Sequence, residues 1–218
     1  MPNPVRGISP TLKSERRLLR RGFLRVAGLD EAGRGAWAGP LAAGAVILPL
    51  RLVSLPDLLS GVRDSKQMTP RQRALAAEKI RSVAVAWSVA SASAEEVDRI
   101  GPLLATKLAM LRAVCSLPSL PDHLLIDYLL LPETALPQTA VTHGDALSLS
   151  IAAASVLAKT WRDERMNELE RLYPGYGFDR HKGYGTGAHA ERLARLGACP
   201  EHRRTYAPVR RAANTPPV

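Results

Sequence analysis

Residues 26–35 read Val-Ala-Gly-Leu-Asp-Glu-Ala-Gly-Arg-Gly. A short apolar run delivers two adjacent carboxylates, Asp30 and Glu31, and a glycine-flanked arginine, Gly33-Arg34-Gly35, follows at once. Adjacent acids repel. A divalent cation relieves the repulsion, because hard metals take oxygen ligands. The arginine can hold a phosphate, and the glycines let backbone come close to a ligand. Carboxylates, metal and phosphate together point to metal-assisted phosphoryl chemistry. Taken singly, an Asp-Glu pair is as readily a solvated loop charge and a Gly-x-Gly a turn, so this chemistry requires further acids.

Two more stand at suitable places. Asp127 ends the apolar run Leu124-Leu125-Ile126, and strand ends are where ligand sites gather in α/β sheets. Asp145 stands in His143-Gly144-Asp145, just before a long helical stretch. There it suits an N-cap, and the helix dipole favours its ionised form. If these edges meet, Asp30, Glu31, Asp127 and Asp145 converge, and four like charges in a low-dielectric cleft require cations. Lys66, in Asp64-Ser65-Lys66, suits a phosphate contact, with a solvated surface position as the equal alternative. Lys159, Arg162 and Lys182 are weaker candidates of the same type, and Arg162 has the further option of an acid on its own helix. His202-Arg203-Arg204 reads as a nucleic-acid backbone contact or as surface charge.

The elements that must position these groups follow from the pattern. Residues 24–29, 42–48 and 83–91 are predicted strands, as are 124–127 and 138–141. Thr69-Pro70 supplies an N-cap and a proline at the first helical position, opening a helix to about residue 81. Residues 93–100 and 103–116 read as helices broken at Gly101-Pro102. A long helix is expected over about 147–172, with a small, apolar side at Ile151, Ala154, Ser155, Ala158 and Arg162 that can pack close to a sheet. Another is expected near 188–196. Strands first and alternating units later imply an α/β layer fold with a mixed sheet.

The 218 residues, 46% of them apolar, suffice for one domain with a proper core. Residues 1–22 are expected to be a flexible basic extension containing a short helix at 14–21, residues 23–210 the catalytic domain, and 211–218 a frayed tail. The formal net charge of +10 suits a polyanionic partner, nucleic acid first. Two distant cysteines give neither a zinc spacing nor a disulfide framework, which fits a reducing cytoplasm. The longest apolar stretches are too short to span a bilayer.

In order along the chain, Gly28-Leu29-Asp30-Glu31-Ala32-Gly33-Arg34-Gly35 and Asp64-Ser65-Lys66 resemble the motifs of ribonuclease HII. So do Gly144-Asp145, Ile151-Ala152-Ala153-Ala154-Ser155 through Lys159, Arg162-Asp163, Tyr173-Pro174-Gly175-Tyr176 and His181-Lys182-Gly183-Tyr184-Gly185-Thr186. The resemblance runs from about residue 24 to 209. It implies a ribonuclease H-like mixed sheet flanked by helices, with a C-terminal helical extension. It also implies an endonuclease acting on the RNA of RNA–DNA hybrids and on ribonucleotides embedded in duplex DNA; a monomer is expected. The family's catalytic, metal-binding acids map to Asp30, Glu31, Asp127 and Asp145. Its ribose-reading turn maps to Gly33, Arg34 and Gly35, and its sugar-packing tyrosine to Tyr184. The implied cofactor is Mg²⁺ or Mn²⁺, two ions once substrate is bound. The implied cut lies 5′ of a ribonucleotide and leaves 3′-hydroxyl and 5′-phosphate ends. The chain departs from the family pattern at Tyr128, where glycine is usual, at His143, where lysine is common, and at Ala36-Trp37. Two other readings share the acids: another nuclease or strand-transfer enzyme on the same fold, and a non-catalytic hybrid-binding module.

Overall fold

The computed structural model describes residues 9–213. Five strands form one sheet: β1 (Val26–Ala32), β2 (Leu41–Ile47), β3 (Ala86–Ala92), β4 (His123–Asp127) and β5 (Gln138–Val141). Their order is β3-β2-β1-β4-β5. The first three strands are antiparallel neighbours, whereas β4 runs parallel to β1 and β5 parallel to β4. The helices are α1 (Lys13–Arg20), α2 (Leu55–Leu58), α3 (Pro70–Val83), α4 (Ala94–Cys115), α5 (Gly144–Leu147), α6 (Leu149–Leu172), α7 (Phe178–His181), α8 (Gly187–Leu196) and α9 (Ala207–Ala213). This is the α/β architecture with a mixed sheet that the residue pattern implies.

Alternation along the strands feeds both faces. Leu29, Ala45 and Ile126 pack against Val97, Ala109 and Met110 of α4 on one side. Val26, Val46 and Leu125 pack with Ile151, Ala154 and Leu157 of α6 and Ile80 of α3 on the other. The small-residue side of α6 lies directly on the sheet: a Cβ added at Gly28 would fall 2.2 Å from the Ser150 carbonyl carbon. Capping boxes at Thr69/Gln72 and Ser93/Glu96 start α3 and α4. Gly101, at φ +80°, breaks α4 where the Gly-Pro pair places the break.

The basic extension differs from its expectation. Residues 1–8 lie outside the described residues, but α1 is docked rather than free. Leu12 and Leu18 enter the core, and Glu15 is fully buried. The Glu15 carboxylate accepts from the Ser148 hydroxyl (2.6 Å) and the Ser150 N–H (2.9 Å). An acid from α1 therefore caps the N-terminus of α6, where donors are otherwise orphaned and negative charge is favoured. At the other end, residues 211–213 continue α9 instead of fraying, and 214–218 lie outside the described residues. Around Met166 and Leu169 of α6, a small third core of Tyr176, Phe178 and Cys199 holds the C-terminal helices.

Replacing Glu15 with alanine is expected to cost ~2 kcal/mol by stripping a buried, hydrogen-bonded cap. A lowered urea midpoint measures this. An unchanged midpoint would mean that the Glu15 cap contributes nothing to stability.

Candidate active site

Asp30 and Glu31 lie inside β1, opposite Gly44 and Ala43 of β2. Leu29 is level with Ile126 of β4, so Asp30 and Asp127 are the next residues along two parallel neighbours. The Gly144 N–H donates to the Asp127 Oδ1 at 2.7 Å. That bond draws the start of α5 to the end of β4 and brings Asp145 with it. Asp145 does not cap the long helix: it sits in the first turn of α5, and Ser148 caps α6, accepting from the Ile151 N–H. The Lys66 Nζ stands 3.3 Å from the Asp145 Oδ2. Its turn is held by the Asp64 side chain, which accepts from the Lys66 N–H, and by a Ser65–Ser155 hydroxyl contact.

The electrostatics are those of crowded acids. Burial pushes Asp30 well above the usual carboxylate range, and repulsion from Glu31 and Asp127 adds to it. Burial also pushes Asp127 up to about 6; the Gly144 N–H opposes the shift, while Asp145 and Glu31 reinforce it. Burial works to lower Lys66, but the Asp30, Asp145 and Asp64 carboxylates outweigh it and hold the ammonium charged. The Asp30 Oδ2 and Glu31 Oε2 are buried without a hydrogen-bond partner. Such orphaned oxygens are costly unless something positive meets them. Their hard-oxygen chemistry fits a divalent cation. Among the described residues, no three or more His, Cys, Asp or Glu side chains form a ready-made cage.

The glycine–arginine turn adjoins this cluster. Gly33 has φ +92°, and a Cβ there would fall 2.0 Å from the Arg162 Nε. Gly35 faces open space. Arg162, fully buried, donates to the carbonyls of Pro40 (2.9 Å), Ala38 (3.1 Å) and Lys182 (2.9 Å). Burial lowers it to about 10, which leaves it cationic at neutral pH. Its guanidinium also lies 5.2 Å from the centre of the Tyr184 ring. Arg203, equally buried, donates to the carbonyls of Gly39 and Arg34. These placements correct two expectations. Arg162 is neither a phosphate contact nor paired with an acid on its helix. His202 and Arg203 are interior groups, and only Arg204 of that triplet is exposed.

A cleft of about 1010 Å³ opens here, with Glu31, Gly33, Arg34, Gly35 and Lys66 among its lining and Tyr184, Lys159 and Lys182 beside them. Lys159 pairs with Asp163 at 2.5 Å, and the Lys182 ammonium bonds the Asn167 side chain. Arg73, which the motifs do not single out, also lines the cleft and pairs with Asp163 at 2.9 Å. The Tyr184 carbonyl contacts the His189 Nδ1, whose Nε2 meets the His202 Nε2 at 3.1 Å. Burial lowers both imidazoles to about 4. Neutral rings let one donate and the other accept, which braces the loop that carries Tyr184.

A family model described as Ribonuclease HII matches residues 27–209. The chain belongs to the ribonuclease HII family. Ribonuclease HII of Roseiflexus castenholzii is 51% identical over 205 residues, covering 94% of this chain and 92% of the relative. That of a Thermus thermophilus strain is 53% identical over 193 residues, covering 88% and 91%. The crystal structure of ribonuclease H2 from Pyrococcus horikoshii superposes with a TM-score of 0.72 at 27% identity, covering 87% of this chain and 97% of that one. Ribonuclease HII proteins are divalent-metal-dependent endoribonucleases of the ribonuclease H type, acting on RNA–DNA hybrids.

Within this ribonuclease HII scaffold, Arg162→Met is expected to leave three buried carbonyls without a donor and to cost ~3 kcal/mol or more. Thermal denaturation should show a fall of roughly 6–12 °C. A midpoint within 1 °C of the parent, taken here as about the scatter of replicate melts, would remove the clamp role; for a chain of this size it amounts to under ~0.5 kcal/mol.

Proposed function

We propose that this chain cuts on the 5′ side of ribonucleotides embedded in duplex DNA as well as within the RNA strand of hybrids, leaving 3′-hydroxyl and 5′-phosphate ends. Asp30, Glu31, Asp127 and Asp145 are read as the residues that hold Mg²⁺ or Mn²⁺, two ions when substrate phosphate oxygens complete the shell. The chemistry such ions supply is acidification of a water and neutralisation of charge on the leaving 3′-oxygen.

The chain's own residues do the rest. Asp127, held by the Gly144 N–H, keeps one carboxylate oxygen fixed while the other is free to accept. Lys66 pairs with Asp145 at 3.3 Å; were Asp145 to hold a divalent ion, the Lys66 ammonium would be free to hold a substrate phosphate. Choosing RNA over DNA means sensing one 2′-hydroxyl. Backbone groups of Gly33 and Gly35 are stiff sensors, and a deoxyribose would leave them unpaired in a closed site, which is a strong basis for rejection. Tyr184, seated on Arg162, presents its ring as a flat support for the sugar. The observation that carries this reading is that one buried residue, Arg162, touches both the Gly33 turn and the Tyr184 ring beside the acids.

The boundaries of the catalytic unit are proposed at residues 23–210, with α1 as an added brace. The unit is proposed to act as a monomer. Its two free cysteines suit a reducing cytoplasm. Among the described residues no helix is long and apolar enough to cross a membrane.

A labelled DNA duplex carrying one ribonucleotide tests the reading. Cleavage 5′ of the ribonucleotide is expected with Mg²⁺ or Mn²⁺ and none with chelator. Asp30→Asn is expected to lose about 10³-fold or more in rate, several kcal/mol of charge stabilisation, while still binding the duplex. Equal cutting of an all-DNA duplex, or near-normal turnover by Asp30→Asn, would overturn it.

A further inference from the structure

The residue after Asp127 is held in a conformation that its side chain resists. Tyr128 has φ +66°, a region in which bulky residues are strained. The Leu129 N–H donates to the Asp127 carbonyl at 2.8 Å, closing a three-residue turn around it. A turn of that kind around a positive φ is rare and strained, and glycine would adopt it freely. Core packing does not compensate, because Tyr128 is 56% exposed.

What the ring touches is Arg34. The guanidinium carbon lies 5.2 Å from the ring centre, within cation–π range. The same guanidinium stands 3.5 Å from the Glu31 carboxylate. Arg34's backbone has no such choice: its carbonyl accepts from the Arg203 Nη1 (2.9 Å) and the Tyr206 hydroxyl (2.6 Å). The main chain is thus fixed from the C-terminal side, while the side chain, lining the cleft, has two seats. One seat is an acid that the site needs for another purpose. The other is an aromatic face with no competing ligand. Without the ring, Arg34 would stay on Glu31 or swing into solvent.

We propose that Tyr128 is a positioning residue for Arg34, its ring giving the guanidinium a seat at the cleft edge that persists when divalent ions engage Glu31 and a substrate phosphate arrives. The proposal rests on the functional reading above. It assigns Tyr128 no contact with the reacting atoms.

Two measurements test it. The first needs no nucleic acid: ¹⁵N relaxation of the Arg34 Nε–H in Mg²⁺-saturated protein. The group is expected to be ordered in the parent and in Tyr128→Phe and mobile in Tyr128→Gly, with a thermal midpoint for Tyr128→Gly equal to or above the parent's. An Arg34 that stays ordered without the ring overturns the proposal. The second is binding of the single-ribonucleotide duplex in the Asp30→Asn background across a salt series. Tyr128→Gly is expected to weaken binding about 5–10-fold and to lower the salt slope by about one phosphate contact. Tyr128→Phe should stay within about twofold, and Tyr128→Gly should add nothing to Arg34→Ala. Unchanged binding, or losses that add, would also overturn it. Failure of the parent enzyme to cut that duplex would instead sink the functional reading and leave the relaxation result to decide the side-chain seat.

Discussion

The structure turns on a repulsion. Four carboxylates are carried to one end of a sheet, and two of them, Asp30 and Asp127, are buried enough to be driven upward in pKa. A protein interior weakens charge–charge screening, so the cluster is held against its own electrostatics by the rest of the fold. The pairing of β1 with β4 and the Gly144–Asp127 bond do the holding. Lys66 offsets part of the charge from one side only. The buried, unpartnered oxygens of Asp30 and Glu31 mark where compensation is still owed. If these acids hold the metal as proposed, metal dependence follows from the backbone topology that crowds them.

A second constraint keeps the Gly33 turn and the Tyr184 loop, proposed above to read the substrate, beside that cluster. Arg162 and Arg203 are large, fully buried cations whose hydrogen bonds go mainly to backbone carbonyls. A guanidinium's fixed fork of donors suits this task, because it can satisfy several chain segments at once. Arg162 joins the 33–40 turn to the Lys182–Tyr184 loop, and Arg203 joins the same turn to the C-terminal segment. Gly33 is required because the guanidinium occupies the place of a side chain. The third core, around Met166, Tyr176, Phe178 and Cys199, fixes α6 and the C-terminal segment from which these contacts are made.

Much of this was legible in the residues. Thr69-Pro70 marks the start of α3 through its capping chemistry, and Gly101-Pro102 marks the break in α4, because local rules decide both. The acids at 30, 31 and 127 are visible as charges at the ends of apolar runs, and Asp145 as an acid just before a helical stretch. Other features depend on distant partners. The strand β1 continues through Asp30 and Glu31, past the apolar run, because β2 pairs with them. The helix α1 docks because Glu15 caps a helix start more than a hundred residues away, which no local pattern announces. Arg162 and Arg203 look like surface cations because their partners are carbonyls, which every residue carries. Arg162 gave one clue: it continues the small, apolar side of α6.

The most direct test is a ¹³C titration of the Asp127 carboxyl, with and without saturating Mg²⁺. In metal-free protein its apparent pKa should lie near 6. With Mg²⁺ it should fall by more than about one unit, because a bound cation favours the ionised form. A titration that ignores Mg²⁺ would show that Asp127 does not share an ion with its neighbours, and would contradict the account at its root.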